Sequence, residues 1–411
     1  MRSGMISRRQ GDCKPAEPGM LASLAMAVAP NPDSKAPGRP DGLLALADRC
    51  VQCGLCLPHC PTYQHDRNEA ESPRGRIALW RGLASGQLAA SAATDAHLDH
   101  CLGCRACESA CPAGVRYGEL LVAGRALQRE RRRPSPRQFL VEWLAARPRW
   151  LAPLLGLYRR LHPALPARLR PLPAPPARTA PATPRPTGPS PSASVSLFGG
   201  CVGRPYDEPA RLALSRLLDA AGIATVEPGG QTCCGALHAH AGDLATATRL
   251  AAGNRSAFAR SDTVCATASG CQHALARSLE GSPAHAEDPF VLLARVAPEL
   301  AFRPARRRVA LHLPCTQQRV DGSVAALRAL LQRIPELDVV LLDPACCGAA
   351  GVQMVTDPGR AAGFREPLLA ALDSSGADTL LSANVGCRLH LGNASPVPVR
   401  HPLEFLAEHL Q

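Results

Sequence analysis

The sequence predicts a mixed fold: an α-helical N-terminal domain organised by cysteines, then a duplicated α/β domain. Three observations predict it. Two runs of the form CxxCxxCxxxCP, at 50–61 and 101–112, flank helix-like sequence. From residue 194, short β-like runs (195–198, 309–313, 339–342) alternate with helix-like runs (209–221, 323–333). The cysteines of this second region also repeat. Cys201, Cys233-Cys234-Gly235 and Gly270-Cys271 return as Cys315, Cys346-Cys347-Gly348 and Gly386-Cys387, at offsets of 114, 113 and 116 residues.

Taken in order, residues 1–40 are rich in Pro, Gly and Ala and read as a disordered extension. Arg8-Arg9 and the short apolar stretch 20–29 raise the question of an export signal. Asp12, Pro15, Glu17 and Pro18 between them argue against one, and Met20 is an alternative start. Residues 41–130 hold both cysteine runs. Ser72-Pro73 opens a helix there, with Ser as N-cap and Pro at the first helical position. Residues 131–193 form a basic helical segment and a linker. The helical sequence 134–162 is expected to break at Pro148 and Pro153, and 163–191 carries 11 prolines in 29 positions, which makes it stiff and extended. Residues 194–304 and 305–411 are the two α/β repeats.

The composition narrows the chemistry. The chain has 411 residues, enough for several cores, and with aromatics at only 3% those cores must be built from Leu, Val and Ala. Eighteen cysteines in tight clusters within so long a chain read as metal ligation in a reducing, cytoplasmic compartment rather than a disulfide scaffold. The net charge of +12 is local. Residues 125–185 contain 14 arginines against Glu130 and Glu142, which leaves the rest neutral. Nucleic acid is not the expected partner, because no nucleic-acid-binding motif accompanies that charge.

The spacing of the first motifs specifies their chemistry. Three thiolates two residues apart wrap one loop around three corners of a cubane, and the fourth is carried away to the neighbouring cluster. By that rule Cys50, Cys53, Cys56 and Cys111 hold one [4Fe–4S] cluster, and Cys101, Cys104, Cys107 and Cys60 hold a second. Two complete four-cysteine runs, each followed by proline, disfavour zinc. The long gap between the runs points to a helical ferredoxin domain, of the kind seen in succinate dehydrogenase iron–sulfur subunits. Arg74 and Arg76 read as exposed cations at a helix start, and the role of Arg105 is open.

Each later repeat has the form Cys…CysCysGly…GlyCys. It resembles the cysteine-rich CCG domain of the heterodisulfide reductases, whose pattern ends in CxxC. Here Ala268 and Asn384 replace the first cysteine of that pair. Cys201, Cys233, Cys234 and Cys271, and Cys315, Cys346, Cys347 and Cys387, are therefore further candidate metal or redox sites of four thiols each. His238, His240, His273, His312 and His390 lie close in sequence. His312 is the best placed as a ligand, although a hydrogen-bonded structural role is the commoner fate of such a residue.

Together, CVQCGLCLPHCPTY at 50–63, ESPRGRIAL at 71–79, HLDHCLGCRACESACPAGVRYGEL at 97–120, CCGALHAHAG at 233–242, LHLPCTQQ at 311–318 and CCGAAG at 346–351 make the chain similar to the iron–sulfur subunit of glycolate oxidase. The resemblance implies an oxidoreductase subunit, inactive by itself, that relays electrons from FAD-binding partner subunits toward the quinone pool at the cytoplasmic membrane. Separately, Arg137, Arg147, Arg149, Arg159 and Arg160 with Phe139, Trp143, Trp150, Leu154, Leu155 and Tyr158 suit peripheral contact with an anionic inner membrane, the alternative being an apolar face packed on the ferredoxin domain or a flavoprotein. The lack of a GxGxxG fingerprint or P-loop agrees with flavin and substrate binding elsewhere. A thiol–disulfide reductase using the CCG repeats is the alternative.

Overall fold

The computed structural model describes residues 40–166, 170–177, 194–320, 322–342 and 346–411. Nearly all of the 1–40 extension and most of the proline-rich linker lie outside the described residues.

Six helices build the N-terminal part: α1 (Pro40–Ala47), α2 (Pro61–Asp66), α3 (Pro73–Ala84), α4 (Ala92–Asp99), α5 (Ala106–Ser109) and α6 (Tyr117–Arg131). Their core is small, formed by Leu43, Ile77, Trp80, Leu98, Leu120 and Leu121. Helix α3 starts as its sequence dictates. Ser72 Oγ accepts from the Gly75 amide, and Pro73 occupies the first turn, where its missing N–H costs nothing.

A helical hairpin follows, α7 (Pro136–Ala145) and α8 (Pro148–Leu161). Pro148 separates the two helices as expected. Pro153 does not break α8, contrary to the expectation. It forfeits one backbone bond, and the packing of Leu151, Leu155 and Tyr158 on the repeats holds the helix through it.

Among the described residues, the remainder holds two four-stranded sheets. The first has β1 (Ser194–Phe198), β2 (Ala224–Val226), β3 (Thr263–Ala266) and β4 (His285–Ala286), in the order β2-β1-β3-β4. The second has β5 (Arg307–His312), β6 (Leu337–Leu341), β7 (Thr379–Ser382) and β8 (Val399–Arg400), in the order β6-β5-β7-β8. Every pairing is parallel. Parallel sheets need cover on both faces, which explains the fully buried run of β7. The intervening helices are α9 (Gly203–Tyr206), α10 (Glu208–Asp219), α11 (Ala236–His240), α12 (Leu244–Ala257), α13 (Ser269–Leu279) and α14 (Pro289–Val296) in the first repeat. The second has α15 (Ser323–Gln332), α16 (Gln353–Thr356), α17 (Pro358–Ser375), α18 (Val385–Gly392) and α19 (Pro402–His409).

The repeats exchange contacts. Helix α19, from the end of the second, packs on α10 of the first, and α14, from the end of the first, packs on α15 of the second. One apolar core therefore runs through both, with Leu214, Leu217, Phe290 and Leu293 against Leu327, Leu330, Leu403 and Phe405. In each sheet the strand order reverses between its two central strands. Open α/β sheets bind ligands at the carboxyl ends of the strands at that point.

Candidate functional site

The loops 50–60 and 101–111 fold over one another. Cys50, Cys53, Cys56 and Cys111 line one cavity, together with Cys107. Cys60, Cys101, Cys104 and Cys107 line a second. Among the described residues no three thiols lie within 4.8 Å of one another. Burial pushes the Cys104 thiol up to about 12, and that of Cys107 higher still.

The ESPRGRI segment wedges α3 between the two cavities. Pro73 lines both, while Arg74 lines the first and Arg76 the second. The Arg74 amide donates to Cys56, so the positive end of α3 faces the thiols, where it favours an anionic group. A Cβ at Gly75 would lie 2.0 Å from the Glu69 carbonyl oxygen, so this turn admits only glycine. Further donors reach the thiols: Gln52 Nε2 to Cys50 at 3.6 Å, and the Ala106 amide to Cys104. Tyr117 Oη lies 3.6 Å from Cys101 Sγ.

Arg76 is not the exposed helix-start cation that its position suggests. It is 1% exposed. Its guanidinium donates to the His97 carbonyl (2.7 Å), Thr62 Oγ1 (2.9 Å), the Glu71 carbonyl (2.5 Å) and Glu71 Oε2 (2.5 Å). The register of α3 turns it inward beside Ile77 and Trp80. Arg74 stays at the surface, paired with Glu69 and donating to the Gln52 carbonyl. Arg105 pairs with Glu108 and meets His273 of the first repeat at 3.4 Å. His97 and His100 each place Nδ1 2.7 Å from Glu71 Oε1. With Arg76 already on the other oxygen, this buried group is a hydrogen-bond hub that ties α4 to α3.

Arg360 of α17 extends the hub to the second repeat. It pairs with Asp66 and reaches Glu71 at 3.4 Å. Burial raises the Asp66 pKa, but hydrogen bonds from Arg360 and His65 outweigh it and hold the carboxyl below its usual range. For Glu71, burial is likewise outweighed by hydrogen bonds from His100 and His97 and by the Arg76 charge. Carboxyls held low in the folded state stabilise it above their unfolded pKa near 4, and that contribution is lost as pH falls through the lower folded value. In urea titrations, Arg360→Gln should therefore lower the unfolding midpoint at pH 7, with the deficit shrinking below about pH 4. A deficit unchanged at pH 3 would show that the pair does not carry it.

The CCG thiols gather where strand order predicts. Cys201 and Cys271 follow β1 and β3, and Cys315 and Cys387 follow β5 and β7, in each case at the switch point. In the first repeat Cys201 meets Cys233 at 3.4 Å and Cys234 meets Cys271 at 3.2 Å. In the second, Cys315 bonds to Cys346, and Cys347 meets Cys387 at 2.9 Å. Hydrogen bonds from Cys233 and Cys271 hold the Cys234 thiol well below its usual value. At the positions lacking a cysteine, Ala268 is buried and Asn384 caps α18 while donating to Thr316 of its own repeat and, across the junction, to Ser269.

The histidines near these cysteines are mostly committed elsewhere. His312 Nδ1 lies 3.0 Å from Ser382 Oγ, His390 Nε2 is 3.1 Å from the Ala361 carbonyl, and His238 Nε2 is 3.1 Å from the Glu142 carbonyl. His240 performs a docking role that the sequence did not reveal. Its ring and carbonyl meet Arg125 Nη1 at 2.7 Å, while Arg125 Nη2 donates to the Cys101 carbonyl at 2.7 Å. A Cβ at Gly103 (φ +61°) would strike the His240 ring at 2.0 Å. Arg319 of the second repeat donates to the Cys104 carbonyl. Loop 101–107 thus sits between the repeats, against His240 and His273 of the first and Arg319 of the second.

This arrangement defines an iron–sulfur protein with a duplicated cysteine-rich domain. Residues 46–115 match the 4Fe-4S dicluster domain family, and 195–276 and 309–392 match the Cysteine-rich domain family. The chain is 32% identical to the glycolate oxidase iron-sulfur subunit of Escherichia coli, over 88% of this chain and 94% of that protein. It is 31% identical to the probable glycolate oxidase iron-sulfur subunit of Bacillus subtilis, over 83% and 87%. One component of the dihydromethanophenazine:CoB–CoM heterodisulfide reductase of Methanosarcina barkeri is 25% identical over 88% and 94%. The chain belongs to the glycolate oxidase iron–sulfur subunit family.

Proposed function

We propose that this chain is the electron-transfer subunit of a glycolate-oxidising dehydrogenase. It would take electrons from FAD-binding partner subunits and pass them toward the quinone pool at the cytoplasmic face of the membrane. The observation that carries this reading is the pair of four-cysteine cavities that meet at Cys107. Cys50, Cys53, Cys56 and Cys111 would hold one [4Fe–4S] cluster, and Cys101, Cys104, Cys107 and Cys60 the other. Such clusters store and release electrons, at potentials set by hydrogen bonds to sulfur and by burial. The chain's own contribution is to aim donors at the thiols and to exclude water from the second quartet. The CCG thiols of each repeat form further candidate metal sites.

The isolated chain should not reduce a dye with glycolate, and adding its flavoprotein partner should restore dye reduction. Robust turnover by the chain alone would refute the subunit reading. The likeness to a heterodisulfide reductase component favours a second reading, in which the CCG thiols reduce a disulfide. The replacement of a cysteine by Ala268 and by Asn384 counts against it.

A further inference from the structure

The hairpin α7–α8 has more apolar surface than the fold uses. Its inner side, Leu144, Leu151, Leu155 and Tyr158, packs on Tyr206, Met354 and Leu389 of the two repeats. Its outer side is bare. Among the described residues, twelve large hydrophobic side chains are exposed, and seven belong to this hairpin: Phe139, Leu140, Trp143, Trp150, Leu154, Leu157 and Leu161, each between 37% and 63% exposed. Such a concentration marks an interaction surface rather than ordinary scatter.

The pattern is that of a helix lying on a surface. Trp150, Leu154, Leu157 and Leu161 recur at spacings of four, three and four, which puts them on one stripe of α8. Because α8 continues through Pro153, that stripe is unbroken. Arg149 and Arg160 are exposed on its flank, Arg137 and Arg147 are exposed nearby, and Arg147 stacks 4.5 Å from the Trp143 ring centre. Among the described residues none of these four arginines has a carboxylate partner. The hairpin's one acid, Glu142, is buried and paired with Arg129. The outer face is therefore apolar and purely cationic. Fourteen residues of helix span about 21 Å, too short to cross a bilayer of about 30 Å.

We propose that the α7–α8 hairpin docks this protein on an anionic lipid bilayer, with Trp143, Trp150 and the leucine stripe among the headgroups and the arginines on lipid phosphates. Tryptophan rings favour that depth, and the charge complements anionic lipid where a mixed-charge protein surface would not. The proposal builds on the electron-relay reading, since it would bring the relay to its membrane acceptor. The test is flotation of the full cluster-loaded chain with vesicles. Phosphatidylglycerol-containing vesicles should carry it at low salt and release it as salt rises, and pure phosphatidylcholine should carry much less. Arg137, Arg147, Arg149 and Arg160 changed to Gln should each cost about fivefold in partitioning at low salt. Trp150→Ser with Leu154→Ser and Leu157→Ser should cost at least on the order of tenfold. Both sets should keep iron content and flavoprotein-dependent dye reduction, so failure of docking is separable from failure of the relay. Flotation that is absent in the wild type, or equal in the variants, overturns the proposal. So does loss of flavoprotein co-purification from the variants without any lipid binding, which would make the patch a protein interface.

Discussion

Cys53→Ser and Cys104→Ser should each remove one EPR-visible cluster, taking iron from about eight to about four per chain if the CCG thiols bind none. The interleaved cavities make this prediction sharper. Cys111→Ser should erase the same signal as Cys53→Ser although it lies in the other motif, and Cys60→Ser should erase the same signal as Cys104→Ser. If the signals instead sort by motif, with Cys111 following Cys104, the assignment of ligands is wrong. Zinc without iron in anaerobically purified protein would sink the cluster reading altogether. The Cys104 variant should be the more disruptive of the two first named, because its loop is held by Arg125, Arg319 and the His240 contact at once.

Arg76→Ala should destabilise the protein by about 3–5 kcal/mol, the range for removing one partner of a buried ion pair. Glu71 would keep His97, His100 and Arg360 but lose the guanidinium on Oε2, and three backbone or hydroxyl acceptors would be left facing a cavity. Arg74→Ala, two residues away at the surface, should cost under about 1 kcal/mol. Urea unfolding of both variants, with iron content checked beforehand, decides the matter. Similar losses for the two would mean that the Arg76 network contributes nothing beyond a surface pair.

That contrast shows what the sequence could disclose. Cysteine runs are written locally, so the motifs could be read directly, and the cavities group Cys111 with the first run and Cys60 with the second. The duplicated cysteine pattern announced the repeats for the same reason. Arg74 and Arg76 look alike in sequence, and only the register of α3 against Ile77 and Trp80 separates a surface cation from a buried hub. His240 was noticed beside the Cys233-Cys234 pair, but its partner Arg125 lies 115 residues away and belonged to a segment read as bulk positive charge. Pro153 misled because its cost to α8 is offset by the packing of Leu151, Leu155 and Tyr158 on the repeats, which a sequence does not record. The exchange of α14 and α19 between repeats had no local signature at all.

That exchange bears on whether either repeat is a separable piece. Contacts in which each half lends its last helix to the other are those of a two-fold homodimer. A cut between the repeats would strip α19 from α10 and α14 from α15 and open the core they share. The two halves are therefore one cooperative unit, and a protease nick at the junction should not yield two fragments that each stay folded. The symmetry stops short of the side chains: alanine stands at 268, whereas asparagine at 384 reaches over to Ser269 of the other half.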